Sequence, residues 1–273
     1  MTDENIMHEL TGRSITITER VFTYPNYQGS VYHGTYKGNE VGIKVKYYGP
    51  SNDNVRLEYQ GWKDMQHKNV IRLFDCFWAW SGSYWYIVFV MEWCLCDAGK
   101  DIVERKGHNR PFGEAELWSI AKGLVDALAT MQSRGFAHRN LKLQNIYPFP
   151  DAPKIGDFSC SSPIQTNSFK TVGANTSQFL SPELRIAQAY GLAFSDNNTF
   201  KADVYSLGVV LLSLAKLEVP QCFQQAQVQV SAVDTEIQGL AYTDNFKAIL
   251  RAMLAERVDS RWDFLQLNAW LQN

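Results

Sequence analysis

The sequence lacks the features of a zinc-binding, secreted or membrane-spanning protein. Its five cysteines are odd in number and show no paired CxxC spacing. The chain opens with the polar, acidic stretch MTDENIMHEL, which has no basic segment leading into an apolar run. No later apolar run is long enough to cross a bilayer. These absences predict reduced thiols, a cytoplasmic location and no membrane partner.

An excess of charge of either sign is also missing. The 273 residues include 26 Lys and Arg and 28 Asp and Glu, which gives a formal net charge of -2. Because both signs are spread along the chain, no face is predicted to bind a nucleic-acid backbone. The apolar fraction of 45% is sufficient for one or two cores and argues against disorder.

The first third of the chain has the pattern of a β-sheet. Short segments rich in Thr, Ile, Val and Tyr fill residues 14–48 and alternate with turn signals such as Lys37-Gly38-Asn39, which predicts consecutive antiparallel strands. A helix is predicted over 54–66. Two further segments, 69–77 and 84–92, predict a hairpin around a Ser-Gly-Ser turn.

After Cys96 the period of the apolar residues changes to that of a helix. This spacing is clear from Leu117 to Met131, and it returns over residues 204–214 and 246–254. A β-rich part followed by a helix-rich part predicts an α+β fold class.

The strongest motif in the chain is His138-Arg139-Asn140-Leu141-Lys142-Leu143-Gln144-Asn145. It resembles the catalytic loop HRDLKxxN of protein kinases at every fixed position except the aspartate, which is replaced by Asn140. Asp157-Phe158-Ser159 follows and resembles DFG, with a serine that is expected to disfavour the positive φ of the glycine. The resemblance implies that Asn145 and Asp157 would hold magnesium.

Other segments follow in the order of the same family. Val41-Gly42-Ile43-Lys44 resembles the VAIK strand, whose lysine holds the nucleotide phosphates, and Glu58 in the predicted helix is expected to pair with Lys44. Ser181-Pro182-Glu183 resembles APE, and Arg261 is placed to pair with Glu183. The joint order and spacing of these short motifs exclude a chance match.

The resemblance to eukaryotic-type protein kinase domains covers the chain from about Ile15 onward and implies a two-lobed α+β fold. It implies an N-terminal tail (1–14), a β-rich lobe (15–93) and a helical lobe (94–273). The implied ligand is ATP or ADP, with magnesium. The residues implied to contact the nucleotide are Gly29, Val31, Lys44, Glu58, Met91, Glu92 and Cys94.

Asn140 is the departure with the largest functional consequence. The family's aspartate accepts the substrate hydroxyl proton, and a neutral amide cannot. Efficient phosphoryl transfer is therefore predicted to be lost, and no catalytic residue is assigned beyond this degenerate base position and Lys142. The chain is interpreted as a nucleotide-binding, regulatory pseudokinase whose partner is another protein, such as a kinase or a cytoskeletal or signalling complex.

Further departures affect the expected nucleotide site. Alignment on GxGxxGxV places Tyr24 and Asn26 where the first two glycines belong, which weakens the predicted grip on phosphate. Tyr147 replaces a leucine expected beneath the adenine. Gly42 removes a methyl group on the opposite side and offsets part of that volume, and the net effect on adenine binding stays open.

Two other functions stay open. The first is an active but slow serine/threonine kinase, because positioning and charge stabilisation supply much of this chemistry. Lys142 points to serine/threonine substrates, since tyrosine-specific relatives of the family usually differ at this position. A scaffold that binds no nucleotide is indicated by Tyr24, Asn26 and Tyr147, which would fill the pocket.

Aromatic residues surround the predicted hairpin turn. Alternation sends about half of the side chains of a hairpin toward a core. We favour core packing for this cluster, with a docking surface for a partner protein as the alternative. The cluster consists of Phe77, Trp78, Trp80, Tyr84, Trp85 and Tyr86.

Overall fold

The chain forms two compact units, Met1–Leu95 and Cys96–Asn273. The structure is a computed structural model that describes residues 4–23, 29–48, 53–63, 65–81, 84–163, 174–191, 199–225 and 227–272. The first unit contains an antiparallel sheet and the second is mainly helical, which confirms the predicted α+β fold class.

The N-terminal unit is built on a five-stranded antiparallel sheet of order β1-β2-β3-β5-β4. Lys37 and Gly38 have φ values of 51° and 82°, so β2 and β3 are joined by a two-residue turn of type I′ geometry. The strands are β1 (Ile15–Thr23), β2 (Gly29–Tyr36), β3 (Asn39–Tyr48), β4 (Leu73–Ser81) and β5 (Tyr84–Glu92).

The two faces of this sheet differ because side chains alternate along each strand. One face forms the core of the unit, where Ile43 and Val88 pack with Leu10 of the helix α1 (Glu4–Gly12). The opposite face carries Lys44 and Phe89, which are cross-strand neighbours. The helix α2 (Asp53–Lys63) packs on this second face.

The strands and α2 follow the sequence prediction, except that α2 ends at Lys63 and not at residue 66, and β4 covers Leu73–Ser81 and not 69–77. The first strand of the hairpin begins at Leu73 and not at residue 69, because His67 to Val70 form a turn in which the Val70 amide donates to the His67 carbonyl. The helix α1 was not anticipated within the predicted tail. Leu10 anchors it, with 1% of its surface exposed.

The aromatic cluster of the hairpin is a clear correction. Phe77 is buried, but four of the six rings are exposed, so the favoured prediction of core packing is wrong for them. Trp78, Trp80 and Trp85 alternate with the core residues of the hairpin and lie on the opposite face, and Tyr84 lies at the end of β5 next to the turn.

The C-terminal unit is organised around the helix α6 (Thr199–Lys216), which is buried on all sides from Ala202 to Ala215. α4 and α8 both pack against it. The other helices are α3 (Ala98–Gly107), α4 (Glu114–Ser133), α5 (Pro182–Tyr190), α7 (Val230–Gln238), α8 (Asp244–Met253) and α9 (Phe264–Gln272). Short strands complete the unit: β6 (Phe136–Ala137), β7 (Ile146–Tyr147), β8 (Lys154–Ile155) and β9 (Ser162–Pro163).

Two predictions from composition can be compared with the described residues. None of the helices in the described part of the chain is both long enough and apolar enough to span a membrane. Four cysteines of the described residues form no disulfide: Cys76, Cys94, Cys96 and Cys222.

Candidate functional site

A buried ion-pair group lies between β3 and α2 in the N-terminal unit. Lys44 Nζ lies 2.6 Å from Glu58 Oε1, which confirms the predicted pair. Lys46 Nζ lies 2.8 Å from the other carboxylate oxygen, Oε2. We call these three residues the lysine site.

Lys46 was missed by the sequence analysis, although the signal was present. Residues two apart on a strand point to the same face, so Lys44 and Lys46 both reach Glu58. Glu58 is fully buried and the Lys44 side chain is 3% exposed, so neither group has water as a substitute partner. The carboxylate is held from both sides, which fixes its position on α2.

Other predicted nucleotide-contacting residues lie on the same face of the sheet. Val31 is the cross-strand neighbour of Lys44. Gly29 has a φ of 151°, and a Cβ there would lie 2.2 Å from the Val45 carbonyl oxygen, so its glycine is required by the sheet itself.

The volume expected from Gly42 is not empty. A Cβ at this position would meet Met91 Cε at 3.0 Å, and the Trp93 ring at 3.5 Å. Trp93 in turn stacks on His33, with ring centroids 4.5 Å apart. Met91 and Trp93 therefore occupy the space beside Gly42.

Glu92 and Cys94 follow directly along β5 and the segment after it. The Glu92 carboxylate accepts a hydrogen bond from the Arg72 amide at 3.1 Å, and the Glu92 amide donates to the Arg72 carbonyl at 2.9 Å. These contacts give Glu92 a structural role in the N-terminal unit. The Cys94 side chain is partly exposed.

In the C-terminal unit, Asp203 of α6 holds the backbone of the catalytic loop. Its carboxylate accepts from the amides of His138 at 2.7 Å and Arg139 at 2.9 Å. Burial raises the pKa of Asp203 to about 7, against the opposing effect of these two backbone donors.

His138 completes this anchoring as a neutral imidazole. Its Nε2 lies 3.1 Å from the Gly156 carbonyl oxygen and must donate to it, and its Nδ1 accepts from the Asn140 amide at 3.3 Å. Burial lowers the pKa of His138 to about 4, which agrees with a ring that donates at one nitrogen and accepts at the other.

Asn140 is bonded to both residues of the predicted magnesium pair. Its side-chain Nδ2 donates to Asp157 Oδ2 at 3.1 Å, and its backbone carbonyl accepts from Asn145 Nδ2 at 2.7 Å. Asn140 is 9% exposed. We call Asn140, Asn145 and Asp157 the catalytic-loop site.

Backbone strain in this region falls on Arg139 and Asp157, which have φ values of 63° and 60°. Ser159 lies instead in a right-handed 3-10 turn, Phe158–Cys160. Ser159 therefore does not adopt the positive φ that serine was expected to disfavour, and the left-handed residue of this segment is Asp157.

The catalytic-loop site fits a magnesium ion with a small donor set. Asp157 supplies a carboxylate and Asn145 an amide oxygen, both hard ligands of the kind that magnesium uses together with phosphate oxygens and water. Among the residues that the structure describes, no group of three or more His, Cys, Asp or Glu could hold a metal ion. The protein's own carboxylate contribution is thus Asp157, and one of its oxygens already accepts from Asn140.

The predicted pair that ties the later helices together is present. Arg261 binds Glu183 through two nitrogens, at 2.8 and 3.2 Å, and also donates to the carbonyls of Lys201, Ala255 and Glu256. The Arg261 guanidinium is buried, so this contact is architectural.

Of the three residues predicted to hinder nucleotide binding, the structure describes Tyr147, and it also describes Lys142 of the catalytic loop. Tyr24 and Asn26 lie outside the described residues. Tyr147 lies on β7, opposite Lys154 of β8. Lys142 is half-buried and directly precedes the 3-10 turn Leu143–Asn145.

Comparison with known proteins agrees with this set of motifs. A family model described as the protein kinase domain matches residues 28–269. The chain belongs to the protein kinase family. This kinase domain is 27% identical over 252 residues to the serine/threonine-protein kinase TAO3 of Xenopus laevis, a match that covers 88% of the chain and 26% of that protein.

Two further relatives show the same relation. The serine/threonine-protein kinase TAO2 of Rattus norvegicus is 30% identical over 187 residues, covering 66% of the kinase domain and 14% of the relative. The receptor protein-tyrosine kinase CEPR1 of Arabidopsis thaliana is 29% identical over 231 residues, covering 77% and 22%. The chain spans about a quarter or less of the curated relatives named here.

Proposed function

We propose that this kinase domain is a pseudokinase that binds ATP or ADP, with or without magnesium, and regulates another protein in the cytoplasm. The observation that carries this proposal is Asn140. It occupies the position of the catalytic base, and its amide nitrogen donates to Asp157. A group that donates a hydrogen bond there cannot take up the substrate's proton at neutral pH.

The contact between Asn140 and Asp157 also changes what the site requires. An aspartate at position 140 would place two carboxylates about 3 Å apart, which favours either a bound proton or a cation between them. The amide removes this repulsion and satisfies one oxygen of Asp157. The wild-type loop is therefore held together by its own residues, without a requirement for a metal ion.

Nucleotide binding is supported by the intact lysine site. Lys44 is fixed by Glu58, as the family requires for a lysine that contacts phosphates. When bound, magnesium would neutralise phosphate charge, and Asp157 and Asn145 are the residues that would hold it.

The first test is thermal unfolding with ATP or ADP, each in magnesium and in EDTA. Selective binding to the folded state raises the melting temperature by mass action. We expect a rise in the wild type that Lys44→Met abolishes. Lys63→Met is the matched control, because Lys63 is exposed on the same helix as Glu58. Absence of any rise at millimolar nucleotide would leave the scaffold function as the better description.

The second test measures metal binding without nucleotide. We expect Asn140→Asp to gain a rise in melting temperature with manganese that exceeds that of the wild type, because two adjacent carboxylates bind a divalent cation better than one. Asn140→Ala separates this from simple loss of the amide, since it frees Asp157 Oδ2 without adding charge. Equal responses in all three proteins would contradict the proposed role of Asn140.

The alternative function is a slow serine/threonine kinase. It is favoured by the preserved anchoring of the loop through Asp203 and by relatives whose names describe serine/threonine kinases. A sensitive phosphotransfer assay distinguishes the two. Turnover by the wild type that Lys44→Met abolishes and Asn140→Asp raises would establish the kinase and end the pseudokinase proposal.

A further inference from the structure

The hairpin of β4 and β5 exposes several large aromatic rings to solvent. Trp78, Trp80, Tyr84 and Trp85 are 43%, 46%, 54% and 48% exposed. Rings of this size bury about 150–250 Å² each when they pack. The three indoles of Trp78, Trp80 and Trp85 together therefore form an apolar surface of the kind that marks interaction sites.

Trp78, Trp80 and Trp85 lie on one face of the hairpin, and Tyr84 lies on the other, because side chains alternate along each strand. Trp80 and Trp85 are direct cross-strand neighbours and pack edge to face, with ring centroids 4.6 Å apart. Trp78 packs in the same way on Tyr48, at 4.8 Å. Each indole is held by a neighbouring ring, so a partner would meet pre-positioned rings and lose little side-chain entropy on binding.

β4 also lies at the edge of the sheet, where unpaired backbone groups can accept another strand. From Cys76 to Met91 the sequence contains no Asp, Glu, Lys, Arg, His or Pro. Natural edge strands are normally guarded by charges, prolines or bulges. β4 has one register shift and one charge, between Leu73 and Asp75, but its outer half, residues 76–81, has neither.

The opposite edge of the same sheet shows what a guarded strand looks like. β1 carries Glu19 and Arg20 and has two register shifts in its pairing with β2. Its irregular, charged edge disfavours the addition of a strand. The two edges therefore differ in the property that decides whether a sheet can extend.

We propose that a second copy of this chain pairs with β4, so that the two sheets join through their β4 edges in an antiparallel arrangement. A twofold axis at Ala79 places Trp78 of each copy opposite Trp80 of the other, which repeats the indole pairing already present within the hairpin. No like charges meet in this pairing, because residues 76–81 are uncharged. The association does not depend on nucleotide.

Sedimentation equilibrium from low to high micromolar concentration tests this pairing. We expect the mass of the wild type to approach twice that of one chain, and Trp80→Lys to stay at the single-chain mass because two lysines would face the shared edge. Tyr190→Lys is the control, since Tyr190 is 76% exposed on α5 and lies outside the hairpin. A wild type that is monomeric throughout, or a Trp80→Lys protein that dimerises equally, overturns the proposal; the first result would redirect attention to a different protein as the occupant.

Hydrogen exchange of the wild type gives a test that needs no folded variant. Amides of β4 should become more protected as concentration rises, and amides of β1 should not change. A doubling of mass without added protection in β4 would place the contact elsewhere and contradict the pairing proposed here.

Discussion

The lysine site keeps the residues of the family motif, whereas the catalytic-loop site has one of them replaced. The lysine site keeps the ion pair that the family uses to present a lysine to phosphates, and Lys46 is a second lysine on the same glutamate. The catalytic-loop site keeps its framework, with Asp203 and His138 holding the backbone, but has an amide where the base should be. The residues that would bind are retained, and the residue that would react is replaced.

The largest expected effect comes from removing the carboxylate of the lysine site. Glu58→Gln leaves two largely buried ammonium groups facing a neutral amide, and breaking a buried pair in this way costs about 3–5 kcal/mol. Denaturant unfolding measures the loss of stability. Glu104→Gln is the control, because its pair with Arg110 is exposed and should cost less than about 1 kcal/mol. Similar losses for both variants would show that the lysine site contributes no more than a surface pair.

The second prediction concerns how His138 makes the stability of the folded chain depend on pH. Its pKa is about 4 in the folded chain, against an ordinary value of 6.5, so the unfolded chain binds more protons between these values. The stability of the wild type relative to His138→Phe should be constant above pH 6.5 and fall below it, by up to roughly 3 kcal/mol near pH 4. Unfolding free energies of both proteins across this range provide the measurement.

Asp203 changes the pH dependence of stability in the opposite direction, so its contribution must be separated from that of His138. Its raised pKa means that the folded chain binds the extra proton, so its contribution is lost as pH rises toward 7. This contribution is present in both proteins and cancels in their difference. A difference between wild type and His138→Phe that does not vary with pH would rule out a neutral, buried imidazole at this position.

A third prediction concerns how much each lysine of the lysine site contributes to the stability of the fold. Lys44→Met and Lys46→Met each leave Glu58 with the other lysine, so we expect each to cost about 1–3 kcal/mol. The double variant should cost more than the sum of the two, because the buried carboxylate then has neither lysine. Additive losses in the unfolding experiment would show that the lysines do not share Glu58.

The smallest expected effect is that of Gly42→Ala. The added methyl would meet Met91 Cε at 3.0 Å, and a flexible methionine can move aside, so the loss of stability should be less than about 1 kcal/mol. Gly29→Ala is the contrasting variant, because its methyl would lie 2.2 Å from a backbone oxygen and should be strongly destabilising. A large loss at Gly42 would mean that Met91 and Trp93 are held rigidly.

Periodicity and motif order predicted most of the fold, because the strands, α2, α4, α6 and α8 all carry a regular apolar pattern. The pairs Lys44 with Glu58 and Glu183 with Arg261 also followed from motif spacing. The short helix α1 could not be predicted, because it is identified mainly by the burial of Leu10 against a sheet formed later in the chain.

The contacts of the site depended on tertiary detail that one-dimensional patterns do not contain. The motif showed that the base position is occupied by the neutral Asn140. The hydrogen bond from Asn140 to Asp157 could not be predicted, because it depends on two loops that meet in space. The prediction that the aromatic side chains of the hairpin face the core was wrong for a similar reason. Alternation divides side chains between two faces, but it does not show how far along the hairpin each face remains covered.

The burial of Leu10 and Ile15 has a consequence for where this protein can be cut. The segment that matches the family starts at residue 28, after α1 and β1. A polypeptide trimmed to that match would lose both elements, leaving β2 without its outer neighbour and Tyr32 and Val41 without part of their cover. The smallest independently folding version of the chain is therefore longer than its family signature, and expression work should keep residues 4–27.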